Sequence, residues 1–215
     1  MEQACLIEQT KRTRVKGTGP RRSELKPFVK LGEVSLQTVK LLNDILNDHT
    51  QNDLGSDNYQ ISQHCKFNEV FNTGEQYRQI LLQKKQDVEE QVNEYAYTKW
   101  DPIIPLVCLT DLGKYFSTTY RFRLSEMASN HSLNWHIDAD TSVICRAQIC
   151  LNETDSTYEV KDKDSEYKLT MKPGEIWFIN TGWTHRVVTR NDMRRVAIFG
   201  FHFNDYIKSE EMRKV

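Results

Sequence analysis

The hydrophobic pattern of this chain changes near Trp100. Before it, apolar residues recur at helical spacing, and after it they alternate with polar residues in short runs separated by turns. A period of two is that of a strand with one buried face. Several short strands of this kind favour a double-stranded β-helix, or jelly roll. The sequence therefore predicts a mainly β fold with flanking helices.

The strands are predicted over 120–125, 143–151, 158–160, 167–171, 176–179 and 195–203. In the first of them, two sets of three residues occupy opposite faces, namely Tyr120, Phe122 and Leu124 against Arg121, Arg123 and Ser125. If the second face turns inward, either arginine can hold a substrate carboxylate. Arg146 and Gln148 share a face of the next strand. The charged segment 161–166 is typical of a hairpin tip.

Two helices are predicted in the N-terminal half. The first follows Ser35, a residue suited to the N-cap, and its apolar residues recur at helical spacing from Leu36 to Leu46. The second spans about 75–95, where an apolar stripe runs beside polar and charged residues. Both are expected to pack against the barrel as scaffold.

Residues 1–30 form a separate segment in this interpretation. They are rich in lysine and arginine and contain Gly17, Gly19 and Pro20, which interrupt a helix, so we expect a flexible basic leader. A single jelly-roll domain is then expected over 31–215, with its motif region at 115–204.

Composition disfavours several classes of partner. Lysine and arginine total 29, aspartate and glutamate total 30, and the formal net charge is -1, so no overall field attracts nucleic acid or an anionic membrane. The basic leader lacks interleaved aromatic residues that would stack on bases. No apolar run approaches the roughly 20 residues that span a bilayer. Five cysteines without a CxxC pair, and no signal peptide, favour the cytoplasm.

The candidate metal site begins with His136-Ile137-Asp138. In an extended segment, side chains at i and i+2 project to the same face, so both can reach one ion. One distant histidine would complete a set of two imidazoles and one carboxylate, which suits iron(II) and leaves coordination positions open for a co-substrate and dioxygen. A structural zinc site would instead be closed by four protein ligands.

Other motifs follow this one at set distances. The turn Lys172-Pro173-Gly174-Glu175 leads into a short strand that ends in Asn180-Thr181, and Arg195 lies ten residues after His185. Over 120–203 this succession resembles the aspartyl/asparaginyl β-hydroxylase family, which includes peptide hydroxylases and free proline hydroxylases. The matching pieces are Tyr120 to Leu124, Trp135 to Asp138, Arg146 to Ile149, Met171 to Thr181, His185, and Arg194 to Val196.

The resemblance implies that His136, Asp138 and His185 bind Fe(II). It also implies that Arg195 pairs with the distal carboxylate of the co-substrate 2-oxoglutarate, with Arg194 on the outer face. Two further co-substrate contacts are implied, at Arg146 and at Ser125. Gln148 stands where many members have a second histidine, and this departure weakens any transfer of substrate from the family.

Several other residues near these motifs have ordinary structural interpretations. Asp140 fits a solvated carboxylate beyond the strand end, and His131 and His202 have no ligand spacing to a partner. Trp135 and Trp183 flank the ligands in sequence, and both the pocket mouth and core packing remain open for them.

The resulting hypothesis is an Fe(II)- and 2-oxoglutarate-dependent dioxygenase that consumes O2, hydroxylates an amino-acid or peptidyl side-chain carbon, and releases succinate and CO2. Two alternatives belong to other classes. One is a cupin-like metal-binding protein or isomerase without 2-oxoglutarate turnover, and the other is an inactive interaction module on the same fold. A carboxylate-binding arginine in the barrel distinguishes the oxygenase from a generic metal cupin.

Overall fold

The computed structural model describes residues 17–48, 77–85, 97–138, 140–162 and 165–214. Its helices are α1 (Leu36–Asp48) and α2 (Leu106–Gly113), with short 3-10 turns at Arg22–Glu24, Phe203–Asp205 and Ser209–Met212. Its strands are β1 (Phe28–Glu33), β2 (Tyr77–Leu81), β3 (Gln83–Lys85), β4 (Tyr97–Trp100), β5 (Tyr120–Met127), β6 (Cys145–Cys150), β7 (Thr157–Asp162), β8 (Ser165–Leu169), β9 (Glu175–Ile179), β10 (Thr184–Val188) and β11 (Arg194–Phe201).

The strands form two facing antiparallel sheets. The larger sheet has the order β1-β9-β6-β11-β5-β2, and the smaller one has the order β10-β7-β8. A separate hairpin pairs β3 with β4. Two isolated bridges, Ser132 with Val188 and His136 with His185, pair the segment that leads into the H-x-D motif with β10. The jelly-roll prediction is confirmed, and so is the β7–β8 hairpin, in which Asp162 pairs with Ser165.

Side-chain alternation in the larger sheet divides the core into two layers. One face packs under the helices and includes Leu124, Ala147 and Phe199 beside Leu42 of α1. The other face looks into the barrel, toward residues of the smaller sheet such as Val160. Because successive side chains point to opposite faces, each position of a strand is assigned to one layer or the other. This assignment decides which polar residues reach the barrel interior.

Helix α1 starts where the sequence predicts. The Ser35 hydroxyl accepts a hydrogen bond from the Thr38 amide at 3.2 Å, as an N-cap should. Asp111 of α2 lies beside this helix end and accepts hydrogen bonds from the Ser35 amide and hydroxyl and from the Thr38 hydroxyl, at 2.7 to 2.8 Å. A buried carboxylate at a helix N-terminus also interacts favourably with the helix dipole. Asp111 therefore joins the two helices.

We expect Asp111→Ala to lower the free energy of unfolding by about 3 kcal/mol, because hydrogen bonds to a charged group are strong and their donors would be left buried. Burial by itself raises the pKa of Asp111, but hydrogen bonds from Lys114, Ser35 and Thr38 outweigh it and hold that pKa well below its usual range. This stabilisation is therefore present above the ordinary aspartate pKa of about 3.9 and is lost as pH falls through the lower folded value. Urea unfolding at neutral and acidic pH measures it.

The control for this prediction is Lys114→Ala, since Lys114 bonds Asp111 at 2.6 Å from an exposed position. We expect it to cost much less, because exposed ion pairs contribute little. An Asp111 variant as stable as the wild type at neutral pH would contradict the joining role.

The second predicted helix is wrong over residues 77–85, which form β2 and β3. Strand β2 pairs with β5 and extends the larger sheet, and Ile80 and Leu82 pack into the helix-side core. Gln83 stays extended because its side chain bonds the Phe122 amide at 2.8 Å and the Thr119 carbonyl at 2.9 Å. Pairing with a distant strand thus overrides local helical spacing. The rest of this predicted helix lies outside the described residues.

Two further parts of the fold differ from expectation. Residues 17–30 were expected to be leader, yet Leu25 is fully buried and β1 begins at Phe28 and pairs with β9. Helix α2 was not predicted, since the β region was expected to begin after Trp100. Residues 1–16 lie outside the described part of the chain.

None of the helices in the described ranges combines the length and apolar character needed to cross a bilayer.

Candidate metal and co-substrate site

Two histidines meet at one mouth of the barrel. His136 and His185 exchange backbone hydrogen bonds, with N···O distances of 3.0 and 2.8 Å. Their imidazole centroids lie 4.2 Å apart. The antiparallel bridge between the two backbones thus brings together side chains that are 49 positions apart in sequence.

Asp138 completes the cluster. Its Oδ1 lies 3.5 Å from His136 Nε2, and its Oδ2 lies 3.7 Å from His185 Nε2. The Asp138 amide donates to the Thr181 carbonyl at 3.1 Å, which ties the H-x-D segment to the loop before β10. One ligand atom from each residue lies within 4.8 Å of the others, so the three atoms surround a common point.

The imidazoles are oriented as metal ligands are. His136 Nδ1 lies 2.7 Å from the Asn134 carbonyl, and His185 Nδ1 lies 3.0 Å from the Trp183 carbonyl. A carbonyl partner assigns the proton to Nδ1, which leaves the Nε2 lone pair free for an ion. Among the described residues, the buried His185 Nε2 has no hydrogen-bond partner. A divalent metal ion would supply the missing interaction, so the residues fit one.

Charge states also suit a cation. Burial is the main reason that the pKa of His185 lies below its usual value, and this favours the neutral imidazole that binds metals. Desolvation opposes ionisation of Asp138, but His185, Arg146, His136 and Arg123 together keep its pKa below the usual range. The site therefore presents two imidazoles and one carboxylate. That donor set suits Fe(II) at a site with open positions.

The orientation of the two adjacent arginines corrects the sequence interpretation. Arg195 shares the helix-side face with Ala197, and its Nε donates to Glu126 at 2.7 Å while Nη1 donates to Asn43 of α1 at 3.3 Å. The expectation that Arg195 points into the barrel is therefore wrong. Arg194 is the buried arginine, at 6% exposure, on the interior face.

Arg194 is held by two interior side chains. Its Nη2 donates to the Gln148 side-chain oxygen, and its guanidinium carbon lies 6.0 Å from the centre of the Tyr158 ring. The same ring stacks on His185 at 5.5 Å. Tyr158 thus separates Arg194 from the metal cluster by one aromatic ring. A small pocket beside Arg194 is lined by Cys150, Thr154, Ser156, Tyr158, Leu169 and Met171.

The structure also places the other predicted co-substrate residues inside the barrel. Ser125 is 1% exposed and lies opposite Val196, one interior row from Arg194. Arg146 is 4% exposed and shares its strand face with Gln148. Arg123 is also buried on this face, and its positive charge helps to lower the pKa of Asp138. The face that carries Arg123 and Ser125 therefore turns inward.

Flanking residues have mostly structural roles. Asp140 accepts a hydrogen bond from the Ser142 amide at 3.0 Å in a tight turn and is not part of the cluster. Trp183 is buried and stacks with Tyr167 in the interior core. Trp135 lies half-buried between Lys161 and Arg186, whose cationic groups are 3.9 and 4.6 Å from its rings.

Two residues of the site, Arg194 and Tyr158, were missed by the sequence interpretation. Alternation in the sequence places Arg194 and Arg195 on opposite faces of β11, but it does not say which face turns into the barrel. Ala197, Phe199 and Phe201 form the apolar face of β11 under the helices, and Arg195 belongs to their phase. Arg194 lies on the opposite face of β11, together with Val196 and Ile198, which line the barrel. For Tyr158 we find no comparable pattern.

The chain is similar to known proteins in structure but not in sequence. No family model matches the chain, and no curated protein matches it. Among solved structures, HygX from Streptomyces hygroscopicus, with nickel and 2-oxoglutarate bound, matches over 82% of this chain and 82% of its own. The identity is 10% and the TM-score 0.50.

Two further matches have lower TM-scores. An oxidoreductase of the 2OG-Fe(II) oxygenase family from Burkholderia pseudomallei matches over 58% of this chain at 16% identity, with a TM-score of 0.39. This chain spans 64% of that protein. A prolyl hydroxylase from Trichoplax adhaerens, in complex with a hypoxia inducible factor peptide fragment, matches over 79% of this chain and 92% of its own, at 12% identity and a TM-score of 0.40. The chain thus has the jelly-roll fold of HygX, and its barrel mouth holds a cluster of His136, Asp138 and His185.

Proposed function

We propose that this protein is an Fe(II)- and 2-oxoglutarate-dependent dioxygenase that hydroxylates an amino-acid or peptidyl side-chain carbon. The observation that carries the proposal is the presence, in one barrel, of a His-Asp-His cluster and a buried arginine beyond it. The match to HygX, which was solved with 2-oxoglutarate, supports the same assignment. Within the oxygenases, the sequence motifs favour the aspartyl/asparaginyl β-hydroxylase family.

In this proposal, His136, Asp138 and His185 hold the iron. When bound there, iron supplies the reduction of O2 that is coupled to decarboxylation of 2-oxoglutarate, so that one oxygen atom enters succinate and the other enters the substrate. The protein's own residues orient the reactants and exclude water. Burial of His185 under Tyr158 keeps one side of the cluster dry. The exposed side of Asp138 leaves the mouth open to substrate.

Arg194 is assigned to the distal carboxylate of 2-oxoglutarate. A guanidinium binds a carboxylate through two parallel charge-assisted hydrogen bonds. Gln148 accepts one Arg194 hydrogen bond and so orients the group toward the interior. In the sequence, Gln148 stands at the position where many members of the similar family have a second histidine. Ser125 and Arg146 line the same interior face and are proposed as further contacts to the co-substrate.

The substrate is proposed to carry a negative charge close to the reacting carbon. Arg123 and Arg146 are both buried on the interior face, and the positive charge of each lowers the pKa of Asp138. Together with Arg194, these two guanidiniums give the barrel interior a positive potential, and a positively charged cleft attracts anionic ligands. A free amino acid and a peptide with an acidic side chain both meet this requirement.

The proposal is tested by anaerobic addition of Fe(II) and 2-oxoglutarate to the metal-free protein, followed by oxygen. We expect a visible metal-to-ligand charge-transfer band before oxygen, and succinate afterwards, with succinate release stimulated by acidic amino acids or peptides. Omission of 2-oxoglutarate is the matched control.

The competing classes give different results in this experiment. A cupin-like metal protein or isomerase would bind the metal without the band and without succinate. An inactive interaction module would show the fold but no turnover under any of these conditions. Either result would overturn the proposal.

A further inference from the structure

Residues 17–27, here called the N-terminal strap, lie across the end of the barrel that carries the metal cluster. On one side they contact the turn that follows Asp138. The Gly19 amide donates to the Ser142 carbonyl at 2.9 Å, and the buried Thr141 hydroxyl donates to the Pro20 carbonyl at 3.2 Å. The strap therefore holds a loop that begins two residues beyond a proposed metal ligand.

On the other side the strap contacts the loop before β10, which leads to His185. Arg22 Nη1 donates to the Gly182 carbonyl at 2.5 Å. The Asn180 side-chain amide donates to the Arg22 carbonyl at 2.9 Å, and the Asn180 backbone amide donates to the Pro27 carbonyl at 3.0 Å. Asn180 is 0% exposed, so these bonds are shielded from water.

Packing at the junction of the strap with the two loops is tight. A Cβ atom placed on Gly182 would lie 2.9 Å from the Cβ of Arg22 and 3.3 Å from Cγ2 of Thr141. One on Gly17 would lie 2.6 Å from the Ser142 backbone. Strap and loops are thus in direct contact without space for a methyl group. Because tightly packed groups resist displacement, a shift of the strap would also move the two loops.

The two loops that the strap contacts are also bonded to each other, through the Asp138 amide and the Thr181 carbonyl. The far end of the strap is anchored to the C-terminal residues, since Lys26 N donates to Met212 O and Lys214 N donates to Glu24 O, both at 2.9 Å. We propose that the N-terminal strap is a positioning element of the metal site, which sets Asp138 relative to His185 through Arg22 and Thr141. This inference rests on the proposed metal-binding function.

The test is titration of metal-free protein with Co(II), which reports coordination through its visible spectrum. We expect Arg22→Ala and Thr141→Val each to raise the dissociation constant for Co(II) by roughly tenfold or more, the effect typical of outer partners of a metal site. We also expect an altered Co(II) spectrum at saturation. Because Arg22 is exposed apart from this contact, the thermal midpoint of metal-free Arg22→Ala should match that of the wild type.

The matched control is Arg21→Ala, the neighbouring exposed arginine, which has no described side-chain contact with either loop. It should bind Co(II) as the wild type does. Wild-type affinity and spectrum in both the Arg22 and the Thr141 variants would overturn the positioning role while leaving the proposed function intact. Equal weakening in Arg21→Ala would also overturn it, since a general charge effect would then suffice. Failure of the wild type to bind Co(II) would overturn the proposed metal site itself.

Discussion

Replacement of any one of the three clustered residues by alanine is expected to abolish tight metal binding and 2-oxoglutarate turnover. His185→Ala removes a neutral imidazole whose Nε2 faces the centre of the cluster, and Asp138→Ala removes the only carboxylate found there among the described residues. Loss of an outer partner costs roughly 10- to 100-fold in metal affinity, and loss of a ligand should cost more. Calorimetric titration with Fe(II) under anaerobic conditions measures the effect.

His202→Ala is the control for this set. His202 lies at the end of β11, where its ring packs edge-on against Tyr120 at 5.1 Å, and it belongs to no described metal cluster. It should bind Fe(II) as the wild type does. Circular dichroism of every variant checks that the barrel is retained. A variant of His136, Asp138 or His185 that titrates like the wild type would remove that residue from the ligand set.

Arg194→Met is expected to raise the dissociation constant for 2-oxoglutarate by roughly thirtyfold or more. Methionine preserves much of the side-chain length but cannot pair with a carboxylate in the barrel interior. Truncating one side of a buried charge pair typically costs about 2 to 5 kcal/mol, and about 1.4 kcal/mol corresponds to a factor of ten. Affinity for Fe(II) alone should hardly change, because Arg194 is separated from the cluster by the ring of Tyr158. Anaerobic titration of the Fe(II)-loaded protein with 2-oxoglutarate measures the first quantity, and titration of the metal-free protein with Fe(II) measures the second.

The adjacent residue supplies an internal control. Arg195→Met should leave 2-oxoglutarate affinity unchanged, because Arg195 binds Glu126 and Asn43 on the helix side of the sheet. It should instead lower stability modestly, through loss of that ion pair. If the Arg195 variant lost 2-oxoglutarate affinity and the Arg194 variant kept it, strand β11 would be shifted by one residue, since such a shift exchanges the two faces.

The contrast between Arg194 and Arg195 shows what a local sequence pattern can and cannot predict. Spacing from His185 and likeness to a family motif both pointed to Arg195, but they did not specify which face of β11 meets the smaller sheet. The structure shows which face it is. Ala197 and Phe199 pack under α1 and α2, and Arg195 lies on the same face of β11 as they do, away from the barrel interior. Burial of those apolar side chains stabilises one register, and Arg194 is carried inward with it.

Residues 77–85 illustrate a second limit. Their apolar spacing fitted a helix, and nothing local to the segment opposed it. As a strand, the segment satisfies its backbone groups on the edge of β5, and Gln83 adds side-chain bonds to residues 36 and 39 positions away. The deciding partner is distant in sequence, so local spacing could not reveal it.

Three features follow from local properties of the chain: the jelly-roll class from alternation, the N-cap from Ser35, and the proposed ligand pair His136 and Asp138 from the i, i+2 spacing of H-x-D. The third proposed ligand, His185, is distant in the chain and is indicated by the resemblance to family motifs. Three other features are visible only in the folded chain: Arg194 faces the barrel, 77–85 is extended, and residues 17–27 contact the ligand loops. These three outcomes depend on contacts between segments far apart in the chain, and such contacts are selected by the burial and hydrogen bonding of the whole fold.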